Sequence, residues 1–200
     1  KVADVSTLVK FSSNTAIMPT IGVTPKAAQI IIDAGVTAQF PSNLIIGNKL
    51  IINGTLQINH TGVLNFSNYG ASVIEGIGTI AFNGTSTPSV NAFSLIGHKD
   101  LSLSVNSNTT IAGGIFKNVT FTGTNAIISS FSGIEITNPN PNAISGYSAT
   151  NYIAGKITRA VNASGTYVFS NLQFVFPNLK PEPTTITLNN LTGTTKITVA

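Results

Sequence analysis

The carboxylates and histidines of this sequence are few and widely spaced. There are two histidines, no cysteine and six acids, which are Asp4, Asp33, Glu75, Asp100, Glu135 and Glu182. Polysaccharide hydrolases and lyases need clustered carboxylates, often with a basic residue or calcium. Because no two acids are near neighbours, a pair forms only if successive turns of a repeated fold stack on each other. Glu75 and Asp100 are the candidates for stacking, and the alternative is that both are solvated.

The two histidines offer little for a metal site. Only Asp100 stands beside His98, and His60 has no acidic neighbour, whereas metal ions need several ligands at a fixed spacing. No nucleophile elbow or phosphate-binding loop is present, and Gly76-x-Gly78 precedes an expected strand rather than a helix. We therefore predict a non-enzymatic protein with no catalytic, cofactor-binding or metal-binding residues.

Hydroxyl and amide side chains are the abundant polar groups. Thr120, Thr122 and Thr124 alternate along one segment, as a flat hydroxyl ladder of the kind seen in ice-binding solenoids would require. The alternative is that threonine is common here because β-branched residues favour strands. The candidates for stacking on sugar rings are Tyr147, Tyr152 and Tyr167.

Eight Asn-x-Ser/Thr sequences mark candidate glycosylation sites. Abundant Asn, Ser and Thr would produce roughly five such sequences by chance. The eight asparagines are Asn53, Asn59, Asn65, Asn83, Asn108, Asn118, Asn162 and Asn190.

Composition narrows the class of protein. Only 8% of residues are charged, and the net charge of +4 comes from scattered bases such as Lys99 and Lys117, so we expect no nucleic-acid partner. The apolar runs are too short for a transmembrane helix. Low charge without cysteine favours export, so we expect an extracellular or cell-surface location with a signal peptide already removed.

The strands expected to position these polar side chains are short apolar-x-apolar units, each of which points two side chains inward. They are Leu50-x-Ile52, Leu56-x-Ile58, Leu64-x-Phe66, Ile80-x-Phe82, Leu101-x-Leu103, Val119-x-Phe121 and Ile134-x-Ile136. Sharp turn sequences such as Asn53-Gly54-Thr55 separate them. The segment Thr24–Ala34 has some helical features, but its Ile30-Ile31-Ile32 run favours a strand.

This pattern predicts an all-β fold whose core is a right-handed parallel β-helix, with handedness taken from the general rule for parallel crossovers. If Ile80, Leu101, Val119 and Ile134 mark one face, the coils vary in length. An antiparallel sandwich is the rival fold, because its strands are also short and alternating.

The chain is expected to divide into three parts. Residues 1–26 form an N-terminal strand or cap, residues 27–140 the parallel β-helix, and residues 141–200 a C-terminal antiparallel module that caps its open end. The boundary between residues 140 and 141 is placed within Asn138-Pro139-Asn140-Pro141-Asn142, where two prolines remove backbone donors. The strands expected beyond it are Tyr152–Val161, Thr166–Phe169, Leu172–Phe176, Thr184–Leu188 and Thr194–Val199.

Two stretches resemble secreted β-helix surface proteins of Bacteroidota. The first is residues 48–58 followed by Glu75-Gly76-Ile77-Gly78-Thr79-Ile80, which is similar to their repeats. The second is residues 151–161 followed by Gly165-Thr166-Tyr167-Val168-Phe169, which is similar to the segment after their β-helix, although Phe169-Ser170-Asn171 departs from the usual Phe-Pro-Val-Gly. The resemblance implies a cell-surface or extracellular location and adhesion or matrix roles, and it transfers no site residue.

Three functions follow as hypotheses. The first is a self-assembling subunit of a surface fibre or layer, with copies of the chain as partners through the solenoid ends or by strand addition of Lys1–Phe11 or Thr194–Ala200. The second is an adhesin module that binds surface glycans or another surface. The third is a polysaccharide-active β-helix enzyme, which the scarcity of carboxylates disfavours.

Overall fold

The computed structural model describes residues 8–12, 26–40, 45–59, 63–66, 73–83, 89–90, 100–111, 113–130, 132–171 and 183–199. In these residues the protein is all-β, and its parallel strands stack into a β-solenoid of about five turns, accompanied by a small antiparallel pair. The predicted fold class is therefore confirmed. His60, His98, Asp4, Glu182 and the expected strand at residues 172–176 lie outside the described residues.

One solenoid face is a six-stranded parallel sheet, which we call the front sheet. Its strands alternate between inward apolar and outward polar residues, as expected for a sheet with one solvated face. In stacking order the strands are β3 (Thr37–Phe40), β5 (Thr55–Ile58), β8 (Thr79–Phe82), β10 (Ser102–Val105), β13 (Val119–Phe121) and β16 (Ile144–Ser145).

The largest sheet begins with β1 and wraps around a corner of the solenoid, because β4 pairs with β7 through one part and with β6 through another. We call it the long sheet. The path strands are β1 (Leu8–Phe11), β2 (Lys26–Ile32), β4 (Ile45–Ile52), β6 (Val63–Phe66), β9 (Ser89–Val90), β11 (Thr109–Ile111), β14 (Ile127–Ser130) and β17 (Tyr152–Ala154), with β7 (Val73–Glu75) paired to β4. The strand expected from Ile30-Ile31-Ile32 is confirmed as β2.

A four-stranded third sheet and a two-stranded pair complete the structure. The third sheet contains β12 (Gly114–Phe116), β15 (Ile134–Ile136), β18 (Ile157–Val161) and β21 (Thr195–Val199), and the pair is β19 (Gly165–Asn171) with β20 (Pro183–Leu188). The pairing of β18 with β21 is antiparallel, and so is the pairing of β19 with β20. The strands expected at Thr166–Phe169, Thr184–Leu188 and Thr194–Val199 are thus present with antiparallel pairing. The single strand expected at Tyr152–Val161 is wrong, because this segment forms two strands, β17 and β18, that pair in parallel with coil strands.

The core is one continuous column of apolar side chains inside the coils. Both apolar residues are buried in every predicted apolar-x-apolar unit except Leu64-x-Phe66, whose side chains are not described. A single buried cluster runs from Ala27 to Phe169, so β19 shares the core of the solenoid. Burial of each Leu, Ile or Phe side chain contributes about 1.5–3 kcal/mol, and this is the main force that holds the coils together.

The coils differ in length, and the register differs from the predicted one. Ile80 stacks on Leu103 rather than on Leu101, and Ile134 belongs to the third sheet, where it pairs with Gly114. The next step of the front sheet, from Leu103 to Val119, spans 16 residues. The step from Val119 to Ile144 spans 25. Because the loops between the strands differ in length, this register could not be predicted from the spacing of the apolar units.

Parallel pairing continues past Asn140, where we expected the regular coils to end. The proline segment forms a short 3-10 turn at Pro141–Ala143, and Asn140 caps it by accepting a bond from the Asn142 amide. After the turn, β16 pairs with β13 and β17 with β14, and β18 pairs with β15, all in parallel. Two prolines therefore shape a corner within a coil, because their missing donors fall between strands rather than inside one.

Candidate functional site

The outward face of the front sheet carries two rows of uncharged side chains, which are polar at every position except Ala81. In register, each row places one residue of a coil directly beside its equivalent in the next coil. The first row is Thr37, Thr55, Thr79 and Ser102, and the second row is Gln39, Gln57, Ala81, Ser104, Thr120 and Ser145. None of these residues is ionisable or aromatic.

Hydrogen bonds between coils hold the far end of these rows. The Asn118 amide donates to the Ser102 hydroxyl at 3.2 Å, and the Asn138 amide donates to the Asn118 side-chain oxygen at 2.7 Å. In the second row the Ser145 hydroxyl donates to Thr120 Oγ1 at 3.2 Å. These contacts restrict the side-chain rotamers of the residues involved, so this end of the face presents preorganised donors and acceptors.

A third polar row lines the corner where the front sheet ends. Backbone pairing continues one residue past the strands, since the amides of Asn83, Asn106 and Thr122 donate to carbonyls of the preceding coil at 2.8–3.0 Å. We call these three residues the corner row. Asn106 and Thr122 are exposed, so neutral amide and hydroxyl groups also border the face.

The charged side chains that form ion pairs lie on the other sheets and link strands there. Three lysine-carboxylate pairs join Lys10 to Asp33 at 3.1 Å, Lys49 to Glu75 at 2.5 Å and Lys196 to Glu135 at 2.7 Å. All three are partly exposed to solvent, so each contributes at most about 1 kcal/mol. Charge is thus excluded from the rows of the front sheet and used between coils elsewhere.

The acids considered for catalysis are not brought together. Glu75 pairs with Lys49, and no hydrogen bond or ion pair among the described residues joins it to Asp100, which is exposed. Within the part of the chain that the structure describes, no three His, Cys, Asp or Glu residues are grouped so that they could hold a metal ion. In the same described ranges, no helix has the length and apolar character needed to cross a bilayer.

The threonine ladder that the sequence raised as an alternative to ordinary strand preference is only partly formed. Thr120 lies in the second row and Thr122 in the corner row, while Thr124 follows the strand as an exposed residue whose carbonyl accepts a bond from Thr150 at 2.6 Å. The ladder that exists runs across the coils rather than along one segment. Its threonines, such as Thr55 and Thr79, come from segments far apart in the sequence, so spacing along one strand could not reveal it.

The three tyrosines do not form a sugar-stacking platform. Tyr147 is exposed, Tyr152 is half-buried beside Ile127 in the long sheet, and Tyr167 is fully buried. Of the Asn-x-Ser/Thr asparagines, Asn118 uses its side chain in hydrogen bonds with Ser102 and Asn138. Among the remaining ones whose side chains the structure describes, the exposed asparagines are Asn59, Asn108, Asn162 and Asn190.

The least expected buried group is Arg159, the one arginine of the chain. It occupies an inward position of β18, in register with Ile136, and is 0% exposed. One terminal nitrogen donates to the Val168 carbonyl at 2.8 Å, and the other to the carbonyls of Asn140 at 2.9 Å and Pro141 at 3.2 Å. Nε has no hydrogen-bond partner, and no carboxylate among the described residues pairs with the guanidinium.

Aromatic rings replace the missing counter-ion. The guanidinium carbon lies 5.1 Å from the Tyr167 ring centroid and 5.9 Å from that of Phe169, distances at which the ring quadrupole attracts a cation. Burial away from water disfavours the charged form and lowers the pKa of Arg159 to about 10, with an opposing effect from Tyr167. The arginine therefore stays charged at neutral pH and joins the last coil to β19.

Tyr167 is bound to both sides of the same junction. Its hydroxyl oxygen lies 3.2 Å from the Pro139 carbonyl oxygen and 3.0 Å from the Ala163 carbonyl oxygen, so its single proton is shared between these two acceptors. β19 also packs against β17, β18 and the 3-10 turn. The side chains of Arg159 and Tyr167 thus supply donors to the carbonyls of Pro141 and Pro139 in this partly buried segment, and each such bond contributes to stability. This junction is thus a structural cap rather than a ligand pocket.

Sequence reasoning missed Arg159 and Asn151. The sequence did contain a signal for Arg159. It lies midway between Ile157 and Val161, and because side chains alternate along a strand, all three point inward. Asn151 is buried, and its side chain accepts from the Ala126 amide at 2.9 Å and donates to the carbonyls of Gly123 at 2.7 Å and Gly146 at 3.1 Å. Nothing distinguishes Asn151 in the sequence from the many turn asparagines.

No protein-family model, curated protein or solved structure matches this chain. The fold and the site define a β-solenoid whose front sheet has an uncharged outward face and whose last coil is joined to β19 by Arg159.

Proposed function

We propose that this chain is a non-enzymatic structural module of an extracellular or cell-surface protein. The observation that carries the proposal is that three of its acidic side chains form ion pairs with lysines. Asp33, Glu75 and Glu135 each bind a lysine on another strand, whereas a hydrolase or lyase needs carboxylates held together and facing substrate. The charged side chains in these pairs therefore link strands of the solenoid to each other.

The exported location is supported by composition and by the resemblance to secreted β-helix proteins. Neutral Thr, Ser, Asn and Gln side chains cover the outward rows of the front sheet, such as Thr55 and Gln57, and the chain has no cysteine. Such a surface stays hydrated without depending on pH or salt, since none of its groups titrates. This is an advantage for a module exposed to a variable medium.

Self-assembly by strand donation is less well supported than a monomeric module. The described parts of both proposed donor segments are already paired within the chain, β1 with β2 in parallel and β21 with β18 in antiparallel fashion. Donation to a neighbour would first break these pairs. The adhesin hypothesis is the second candidate, and the neutral face of the front sheet favours it.

Two measurements test this proposal. An antibody against the purified chain is expected to label intact, unpermeabilised cells of the source organism or to detect the protein in the medium; label found only after lysis would contradict export. Negative-stain electron microscopy is expected to show dispersed particles, while regular filaments that disappear when residues 195–199 are deleted would restore strand-donation assembly.

A further inference from the structure

We propose that the front sheet binds an extended, uncharged polysaccharide, laid across the strands along the solenoid axis. The binding surface is the first and second rows together with the corner row. This inference rests on the proposed function, because the ligand is one that an exported module would meet.

Charge is the first argument for this ligand. The rows contain hydroxyl and amide groups such as those of Thr79, Gln57 and Ser104 but no ionisable group, while ion pairs occupy the neighbouring sheets. A charged polymer brought onto this face would lose water without gaining a counter-charge, which is unfavourable. Hydroxyls and amides both donate and accept, as do the hydroxyls of a neutral sugar.

The spacing of the rows is the second argument. Adjacent parallel strands lie about 4.8 Å apart, which is close to the length that one sugar unit adds to an extended β-1,4-linked chain. Successive coils therefore present equivalent groups, such as Thr37, Thr55 and Thr79, to successive sugar units. The two rows stand about 6.6 Å apart along each strand, so they reach hydroxyls on both edges of a sugar ring.

The uneven height of the second row favours a polymer over a crystal plane. Two glutamines are followed by Ala81, which is 6% exposed, and then by the short Ser104. A polymer whose hydroxyls vary in direction fits such a surface, whereas an ice plane requires side chains of equal height.

The test is a titration series with β-1,4-linked gluco-, xylo- and manno-oligosaccharides and the intact chain. In at least one series, affinity is expected to rise at least tenfold between about three and about six units and then to level off, because only the coils of the front sheet offer contacts. Polygalacturonate is the charged control and is expected not to bind.

The variant Ser104→Lys and the control Thr110→Lys separate this face from the rest of the surface. Ser104 lies in β10 on the front sheet, and Thr110 is an outward, half-buried hydroxyl of β11 in the same coil. Ser104→Lys is expected to weaken binding about tenfold or more by placing an unpaired charge under the neutral polymer. Thr110→Lys is expected to leave binding unchanged, with circular dichroism melting used to show that both variants fold.

Several results would overturn the inference. They are the absence of binding to all three neutral series, binding that is independent of chain length, and equal loss of binding in both variants. Ice-recrystallisation inhibition or concentration-dependent dimerisation abolished by Ser104→Lys, without oligosaccharide binding, would assign the face to ice or to a second copy. Each of these outcomes leaves the proposed function standing, because export and particle form are measured separately.

Discussion

Arg159 and Tyr167 lie on consecutive strands, and the guanidinium carbon of Arg159 stands 5.1 Å from the centroid of the Tyr167 ring. Both side chains bind carbonyls of the 139–141 segment, Arg159 those of Asn140 and Pro141 and Tyr167 that of Pro139. The relationship joins three pieces of chain, because Arg159 also donates to the Val168 carbonyl. The cap is therefore held by side-chain donors of β18 and β19 that reach carbonyls of the 139–141 segment and of β19 itself.

Arg159→Met is expected to loosen this cap. The variant removes the guanidinium bonds to the Val168, Asn140 and Pro141 carbonyls, although the Asn140 carbonyl keeps the Ala143 amide as a donor. We expect the free energy of unfolding to fall by more than about 2 kcal/mol. Native-state hydrogen exchange should show lost protection in β19 with β10 and β13 retained. The control Lys156→Met removes an exposed charge nearby and should change stability by less than about 0.5 kcal/mol. A neutral or stabilising Arg159→Met would mean that charge burial costs more than the three bonds provide.

The stability difference between the native chain and Arg159→Met is expected to be independent of pH between about 6 and about 9. The pKa of Arg159 is lowered to about 10, so the charged form is disfavoured in the folded state. That cost is fully present below pH 10 and is relieved only as the pH rises through 10. Urea unfolding at several pH values measures the difference, and a slope below pH 9 would contradict the assignment of a charged guanidinium.

Asn151→Asp is expected to destabilise the corner between β16 and β17. Two bonds run from the Asn151 amide to the carbonyls of Gly123 and Gly146, and a carboxylate would repel both oxygens. We expect a loss of about 2–4 kcal/mol at pH 7 and a smaller loss at pH 4, where the introduced carboxyl is protonated and can donate once. Equal losses at the two pH values in thermal melts would show that the amide donors are unimportant.

Gly76→Ala and Gly35→Ala test the close approach of successive coils. Both glycines have positive φ, +122° and +77°, so each substitution carries backbone strain of about 1–2 kcal/mol. A Cβ at Gly76 would also lie 2.0 Å from the Ile52 carbonyl oxygen, whereas nothing lies within 4 Å of one at Gly35. We expect Gly76→Ala to be clearly the more destabilising in chemical unfolding. Equal effects would indicate that strain alone matters.

Glu75→Gln is expected to have little effect on stability. Its partner Lys49 is partly exposed, so loss of the ion pair should lower the free energy of unfolding by less than about 1 kcal/mol. Differential scanning calorimetry at low and at high salt measures this small term, which should shrink as salt screens the charges. The third functional hypothesis would return if the native chain cleaved a polysaccharide and Glu75→Gln abolished the cleavage.

The sequence by itself determined the class of fold and much of the core. Units such as Leu56-x-Ile58 and Val119-x-Phe121 bury both apolar residues as predicted, because side chains alternate along a strand whatever it pairs with. The antiparallel character of β19, β20 and β21 was also readable, since their alternation is longer than that of the coil strands. Local periodicity is carried by neighbouring residues and needs no tertiary information.

Only the tertiary structure decided which residues meet between coils. Loops of unequal length separate the strands that stack on each other. They determine that Ile80 pairs with Leu103 and that parallel pairing continues to β18. They also bring Thr37, Thr55 and Thr79 into one row. Parallel strands are joined by connections whose length does not fix the pairing. Arg159 followed the alternation of its strand, but its bonds to carbonyls 18 and 19 residues earlier exist only because the last coil returns the chain to that point.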